Sequence, residues 1–381
     1  MTSYVKHTNQ FDYLIRGPLH SLDIELTERC NNNCIHCCIN LPANDLKAKK
    51  HEMTFEEIKV VLQEAANLGC LKVRLTGGEP LLRPDFEQIY LYARRLGLKV
   101  QIFSNARLIT SRLARLFSQI PPLEYIEITV YGMHKDSYET NSQQPGSYQS
   151  FMRGLNYLEE FKVPFIIKSV LLPANQHEMD ELKNWARTIP WMDHKDPGIT
   201  MFYDLRNRRD DIQKNKIIKS LRPNPEAAVK FLIDYHGNID ATKDHYWKSM
   251  SRLPGDRLFL CSAGEHQLTI DSYGQVQPCM VLRSPDIVQP KGTTLENALV
   301  KFKKLKQVKA TNSEYLRRCA RCFLRNLCEQ CPGKAWSETG TLDTPVQYLC
   351  DVSHALARHM GWLRKNEVSW EVNDWMERIQ P

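Results

Sequence analysis

No stretch of the chain approaches 18 uninterrupted apolar residues, and the N-terminal "MTSYVKHTNQFDYLIRG" has no apolar core. That argues against a membrane span and a secretory signal, so a cytoplasmic protein with no membrane partner is expected. Gly/Ser tracts, internal repeats and low-complexity segments are also missing, which leaves ordinary globular domains. Aromatics are scarce in the most basic segment, "KFKKLKQVKATNSEYLRR" (301–318). A nucleic-acid groove needs cations interleaved with stacking rings, so no nucleic-acid partner is expected. With a net charge of only +7, that segment reads as a solvated helix face; the alternative is a docking face for an acidic redox donor or peptide.

What the chain has in excess is cysteine: twelve in 381 residues. In a reducing compartment disulfides explain them poorly, whereas metal or cluster ligation explains them well. Four lie between residues 30 and 38 and seven between 261 and 350. Cys70 stands apart and reads as a core thiol ending a helix. The length suits two domains, one of about 200 residues, and 42% hydrophobic content is enough to bury a sizeable core.

From residue 20 to 205 short apolar runs alternate with amphipathic stretches. Strands are predicted at 22–26, 71–76, 99–104, 125–130, 165–172 and 199–203, and helices at 54–69, 85–96, 110–118, 147–161 and 176–189. Thr54 and Glu57 form a capping box for the first helix. Such alternation implies right-handed βαβ units and a parallel sheet. Six units are too few for a closed eight-stranded barrel and suit a partial (β/α)6 barrel, with its site at the carboxyl ends of the strands. The expected organisation is a 1–20 N-terminal extension, a 21–205 partial barrel, a charged 206–255 bridge with a helix at 225–235, a small cysteine-rich α+β domain at 256–352, and a 353–381 helical tail.

"ERCNNNCIHCC" (28–38) follows the first predicted strand. Three thiolates at Cys30, Cys34 and Cys37 can each hold one iron of a four-iron cluster, leaving the fourth iron open to an exchangeable ligand. Zinc is the competing reading, but His36 and Cys38 each adjoin a ligand and are poorly placed to complete a tetrahedron. "TGGEP" (76–80) ends the second strand; its glycines allow close backbone approach and Glu79 offers a carboxylate for an ammonium group.

On these motifs residues 20–205 resemble the radical S-adenosylmethionine (SAM) superfamily, whose signature is C-x3-C-x-Φ-C after the first strand. His36 stands at the usually aromatic Φ position, and Cys38 follows where many members have tyrosine. The resemblance implies that SAM chelates the open iron and is cleaved reductively to a 5′-deoxyadenosyl radical, which abstracts a substrate hydrogen. It also implies that Gly77, Gly78, Glu79 and Pro80 contact the SAM amino group, and that Ser104 and Asn105 lie near SAM. By the same resemblance Thr129 and Tyr131 lie where a ribose contact is common, and Arg153 and Lys168 are candidate carboxylate partners. Cys38 is read as packing beside the cluster.

Further along, Cys261 and Cys279 frame a C-x12-G-x4-C segment with Gly274. "CARCFLRNLCEQC" then supplies Cys319, Cys322, Cys328 and Cys331, and Cys350 follows. Two zinc sites are one reading. The segment is similar to the SPASM domain of radical SAM enzymes, except that its last interval is x2 rather than x3. That resemblance implies an outer auxiliary 4Fe-4S cluster on Cys319, Cys322, Cys328 and Cys350. It implies an inner one on Cys261, Cys279 and Cys331; with only three ligands counted there, its fourth iron is expected to be open to substrate or to a non-cysteine ligand such as a carboxylate. Together with the SAM cluster this makes three 4Fe-4S clusters. Met280 stands where sulfatase-maturing relatives carry a proton-accepting aspartate, and no other clear general base is apparent; Asp271 and Asp286 are weak substitutes.

The expected activity is radical oxidation or cross-linking of a peptide side chain. The alternatives are the same chemistry on a small metabolite, such as a sugar or cofactor precursor, and a non-enzymatic zinc-binding interaction protein. The 29 residues before Cys30 are too few for the leader-binding domain of many peptide-modifying relatives. A separate leader-peptide-binding protein or the bridge region would then recognise the substrate. A low-potential electron donor of the flavodoxin or ferredoxin type is the other expected partner.

Overall fold

The structure, a computed structural model, describes residues 18–236 and 254–379. Most of the N-terminal extension and residues 237–253 of the bridge lie outside the described residues. Six parallel strands run β1 (Ser21–Thr27), β2 (Lys72–Gly77), β3 (Lys99–Ser104), β4 (Leu123–Val130), β5 (Phe165–Val170) and β6 (Gly198–Thr200). The chain then adds β7 (Gln267–Ile270) parallel to β1, and β8 (Val276–Gln277) antiparallel to β7. The sheet order is β8-β7-β1-β2-β3-β4-β5-β6, with β6 and β8 at its edges. The α/β partial barrel expected from the sequence is therefore present.

Strand alternation sorts the side chains onto two faces. Leu22, Ile24, Val73, Leu75, Val100, Ile102, Ile126, Ile128, Phe165 and Ile167 are buried in one apolar core. Helices Phe55–Asn67, Phe86–Arg95, Ser111–Gln119, Ser147–Glu160 and Met179–Thr188 occupy the connections, each close to its predicted span. The Thr54–Glu57 capping box is formed. The other face carries Asp23, Glu25, Arg74, Gln101, Phe103, Glu127, Thr129 and Lys168. It is polar, and its residues pair with one another across the strands, as Arg74 does with Asp23 at 3.1 Å and with Gln101 at 3.2 Å.

The cysteine-rich region is present, and its first part joins the barrel: β7 pairs with β1, and Leu268, Ile270, Leu282 and Phe302 belong to the barrel's core, while Phe323, Leu324, Leu327 and Val352 pack in a second apolar cluster. Its short apolar pieces suffice because they complete an existing sheet edge. The 352/353 boundary falls inside helix Gln347–His359, and beyond that helix Trp375–Arg378 is helical among the described residues. Residues 206–214 are no spacer, because their side chains grip the cysteine loop, as described below.

Candidate functional site

The loop after β1 is anchored before any cysteine is reached. The Thr27 hydroxyl accepts the Arg29 backbone N–H at 3.0 Å, and the Arg29 guanidinium is held by Glu52 at 2.8 Å and by the Ala43 carbonyl at 2.9 Å. Arg29 and Glu52 are buried enough that this pair is shielded from solvent screening. On this frame the Cys30 thiol receives the Asn32 N–H at 3.4 Å and lies 3.7 Å from Asn105 Nδ2. The Cys37 N–H donates to the Cys34 carbonyl at 3.2 Å, and Lys214 Nζ donates to the same carbonyl at 2.8 Å. Burial pushes the Cys34 thiol up to about 12, repulsion from Cys37 adds to this, and the Tyr131 hydroxyl offsets part of it. Burial likewise raises Cys30, with Cys34 and Cys37 among the contributing charges, so the three thiols share one region.

Among the described residues no three His, Cys, Asp or Glu side chains converge as the ligands of a single ion do. A four-iron cluster asks for something different, namely thiolates spread around a larger body. The donor set at Cys30, Cys34 and Cys37 fits that group. His36 packs between Tyr131 and Tyr203, with ring centroids 5.9 and 5.3 Å away, and burial lowers its pKa to about 3. A neutral imidazole thus takes the aromatic place in the motif. Cys38 is half-buried, and its thiol is raised by burial and by the charge of Cys37.

The glycines of "TGGEP" are required by the cysteine loop itself. Gly78 N–H bonds the Thr27 carbonyl at 2.6 Å and Glu79 N–H bonds the Arg29 carbonyl at 2.9 Å. A Cβ on Gly77, whose φ is +134°, would sit 2.1 Å from the Thr27 oxygen, and one on Gly78 would sit 2.2 Å from the Arg29 oxygen. Glu79 is fully buried and accepts three hydrogen bonds: from Leu81 N–H at 3.1 Å, Ser104 Oγ at 3.0 Å and Asn105 N–H at 2.8 Å. Burial raises its pKa to about 7 against those bonds. Its carboxylate therefore ties the β2 turn to the end of β3, and Pro80 opens the short Pro80–Leu82 turn beside it.

Glu79→Gln turns one acceptor into a donor facing either Asn105 N–H or the Leu81/Ser104 pair. Its expected cost is about 1–3 kcal/mol, the penalty of a buried unsatisfied donor, read as a lowered thermal midpoint.

Other predicted contacts divide. Ser104 and Asn105 are at the site, Asn105 also donating to Asn31 Oδ1 at 2.7 Å. Tyr131 belongs to the cysteine loop through Cys34, and Thr129 lies one strand across from Lys168. Lys168 is committed elsewhere: its ammonium pairs with Glu127 and sits 3.8 Å from the centre of the Phe103 ring. Arg153 is exposed on helix Ser147–Glu160 and is not brought to the thiols. The arginine that reaches the loop is Arg107, unremarked in the sequence, which donates to Asn32 Oδ1 at 2.6 Å and Ser150 Oγ at 2.9 Å.

Burial raises several of the later thiols, and neighbouring thiols add to it. Cys319 and Cys322 are each pushed up first by burial and then, among charges, by Cys328 and Cys350. Cys279 is pushed up by burial, with Cys331 and Cys261 as its charged neighbours. Six of the seven line one cavity of about 80 Å³, closed by His354, Arg318 and Trp370. His354 Nε2 accepts the Ser369 N–H at 3.2 Å, which leaves the proton on Nδ1, 2.8 Å from the Cys350 carbonyl. Ser369 Oγ lies 2.8 Å from Cys322 Sγ. Cys70 does not line this cavity; its thiol donates to the Lys72 carbonyl at 3.1 Å in the barrel core.

A family model for the radical SAM superfamily matches residues 24–186. The chain carries a radical SAM domain. AdoMet-dependent heme synthase of Methanosarcina barkeri is 24% identical over 340 residues, covering 83% of this chain and 92% of that protein. PqqA peptide cyclase of Rhizobium meliloti is 29% identical over 263 residues, covering 67% and 66%. Among solved structures, anSMEcpe with bound AdoMet matches at a TM-score of 0.60 and 17% identity, over 90% of this chain and 96% of that one. Streptococcus suis SuiB with S-adenosylmethionine matches at 0.62 and 17%, over 89% and 79%. At such identities the structures establish the shared fold. No helix among the described residues is long and apolar enough to cross a membrane.

Behind the cysteine loop of the radical SAM domain lies a buried charged network that composition alone does not reveal. Arg283 pairs with Glu25 on β1 and lies 3.8 Å from Glu28, both carboxylates almost fully buried. Arg208 also pairs with Glu28, and the Tyr273 hydroxyl donates to Glu28 at 2.9 Å. Arg74 donates to the Met280 sulfur at 3.4 Å, and Asn207 Nδ2 donates to the Met280 carbonyl at 3.1 Å. Arg209 reaches the carbonyls of Trp336 and Ser337 at 3.0 and 3.1 Å. The 206–214 tract thus joins the cysteine loop, the Met280 loop and the cysteine-rich segment. Its run of charges, "RNRRDD", was the only signal available in the sequence. Asp271 folds its own turn, accepting from Tyr273 and Gln275 N–H groups, and Asp286 is exposed, so neither replaces the missing aspartate.

Proposed function

We propose that the chain is a radical SAM enzyme of the SPASM type that oxidises or cross-links a peptide side chain. The observation that carries this reading is one chain bearing a three-thiol loop at the carboxyl end of the sheet together with seven further cysteines, six of which line one cavity. In this reading Cys30, Cys34 and Cys37 hold the SAM-binding cluster. Cys319, Cys322, Cys328 and Cys350 hold an outer auxiliary cluster, and Cys261, Cys279 and Cys331 an inner one. Bound there, the SAM-binding cluster and SAM supply one-electron cleavage of SAM and a hydrogen-abstracting radical.

The chain's own residues build the chamber. Glu79 fixes the turn beside Cys30, and Tyr131 and Lys214 press on Cys34 and restrict water there. Met280 cannot accept a proton, but its Arg74 partner leads to Asp23, whose carboxyl is pushed up by burial against the pull of Arg74. A low-potential flavodoxin- or ferredoxin-type donor supplies the electron.

A peptide substrate is supported by the names of similar proteins, a PqqA peptide cyclase and SuiB solved with its precursor peptide SuiA. A small-molecule substrate is the second reading, favoured by the match to a heme synthase along 92% of that protein's length. Anaerobic reconstitution with iron and sulfide tests the reading. The expected result is about twelve irons per chain and 5′-deoxyadenosine on addition of SAM and dithionite. Two or three zincs and no such product would replace it with the zinc-binding alternative.

A further inference from the structure

The segment past the last cysteine turns back over the cysteine field. Ser369 is almost fully buried there, and its hydroxyl lies 2.8 Å from Cys322 Sγ. His354 fixes its backbone, Nε2 accepting the Ser369 N–H at 3.2 Å. Trp370 packs edge-on against His354, ring centroids 5.4 Å apart, and carries the Arg318 guanidinium 4.7 Å from its ring centre. Arg318 Nη2 in turn donates to Cys350 Sγ at 3.3 Å and to Gln347 Oε1 at 2.9 Å. The half-exposed Glu314 carboxylate is 3.8 Å from Nη1, beyond hydrogen-bond reach. Two more donors on side chains lining this cavity, Arg318 Nε and Trp370 Nε1, are buried without a hydrogen-bond partner. Buried donors without acceptors are costly, and the sulfurs of an iron–sulfur cluster would supply acceptors beside them. The donors around these thiols therefore fit such a group.

We propose that Ser369 and Arg318 donate hydrogen bonds to the Cys322 and Cys350 thiolates of the outer auxiliary cluster and so raise its reduction potential, an inference that rests on the twin-cluster reading above. A cysteine that ligates iron does so as the thiolate and has no proton to give. Without iron either atom of the Cys322–Ser369 contact could donate; with iron bound, only the hydroxyl can. Reduction adds negative charge to the cluster and its sulfurs, so these bonds strengthen in the reduced form and favour it. The positive charge of Arg318 acts in the same sense, and partial burial leaves it less screened than a surface charge. Residues 369 and 370 thus belong to the cluster site, although they follow its last cysteine by about twenty positions.

The test is an anaerobic redox titration of the reconstituted full chain, read by electron paramagnetic resonance, beside Ser369→Ala and Arg318→Met. Iron near about twelve per chain establishes that each protein is loaded. Ser369→Ala removes a single oxygen and should fold normally. It is expected to disfavour the reduced form of one cluster, one that does not respond to SAM, about tenfold, which is about 59 mV more negative for a one-electron couple. Arg318→Met keeps an apolar stem against Trp370 and should lower the same transition, while the other transitions stay in place. Ser369→Thr keeps the hydroxyl and should restore the parental potential. An unmoved potential in either loaded variant, or equal movement of every transition, would overturn the proposal and leave the cluster reading standing. Loss of about four irons from Ser369→Ala would make the segment a support for assembly and overturn it as well. About four irons per chain in the parent, with no transition besides the SAM-responsive one, would refute the twin-cluster reading and the proposal with it.

Discussion

Replacing Cys30, Cys34 and Cys37 together by alanine is expected to abolish 5′-deoxyadenosine formation and to lower iron from about twelve to about eight per chain. The loop is held by contacts that these thiols do not make. Arg29 is fixed by Glu52 and Ala43, and Gly78 and Glu79 bond the carbonyls of Thr27 and Arg29. Its backbone should therefore survive the substitution, and the loss should be one of ligands rather than of fold. Circular dichroism and a thermal melt check that point, while mass spectrometry and iron analysis read the effect. Cys38→Ala is the control of choice. Cys38 adjoins Cys37 but is not one of the three proposed ligands, so its variant should keep both iron and product. Persistent product in the triple variant would remove these three cysteines from the reaction, whatever else the chain contains.

Arg283→Leu should be among the most destabilising single changes outside the apolar core, at about 3–5 kcal/mol. The guanidinium faces Glu25 and Glu28, whose residues are 1% and 2% exposed, and removing it leaves two buried carboxylates with a single cation, Arg208, beside Glu28. The pair links β1 to the loop just after Cys279, so the effect should extend to the junction between the barrel and the cysteine-rich segment. A thermal midpoint lowered on the order of 10 °C is expected. Adding Glu25→Met in the same chain should recover much of the loss, because a buried pair replaced by apolar groups of similar size is often near neutral. An Arg283→Leu protein as stable as the parent would mean that water enters and solvates both carboxylates.

Spacing made the cysteines legible in the sequence. Three thiols within eight residues after a strand, and a second field with fixed intervals, are local patterns, and local patterns survive without coordinates. The six strands and five helices were legible for the same reason, since periodicity and capping act over a few residues. The neighbours of Arg153 and Lys168 are not legible in the sequence because the destination of a long charged side chain depends on tertiary packing: Lys168 pairs with Glu127 over Phe103, and Arg153 is exposed. Arg107, Arg283 and the 206–214 tract were missed for the converse reason, their partners lying up to 258 residues away along the chain. Helix Gln347–His359 runs through the expected 352/353 boundary without interruption.

The sequence by itself determined the cysteine loop, the turn that supports it and the alternation that builds a parallel sheet, because thiol spacing, glycine and apolar period act locally. Tertiary structure alone decided that the two glycines serve the loop's own carbonyls, and that β7 and β8 complete the barrel's edge. It also gathered six of the seven later cysteines around one cavity and set Glu25, Glu28, Arg208 and Arg283 against one another in the interior. Burial is the physical reason: it sets the energy of every charge it encloses, and it is a property of packing that no short stretch of sequence carries.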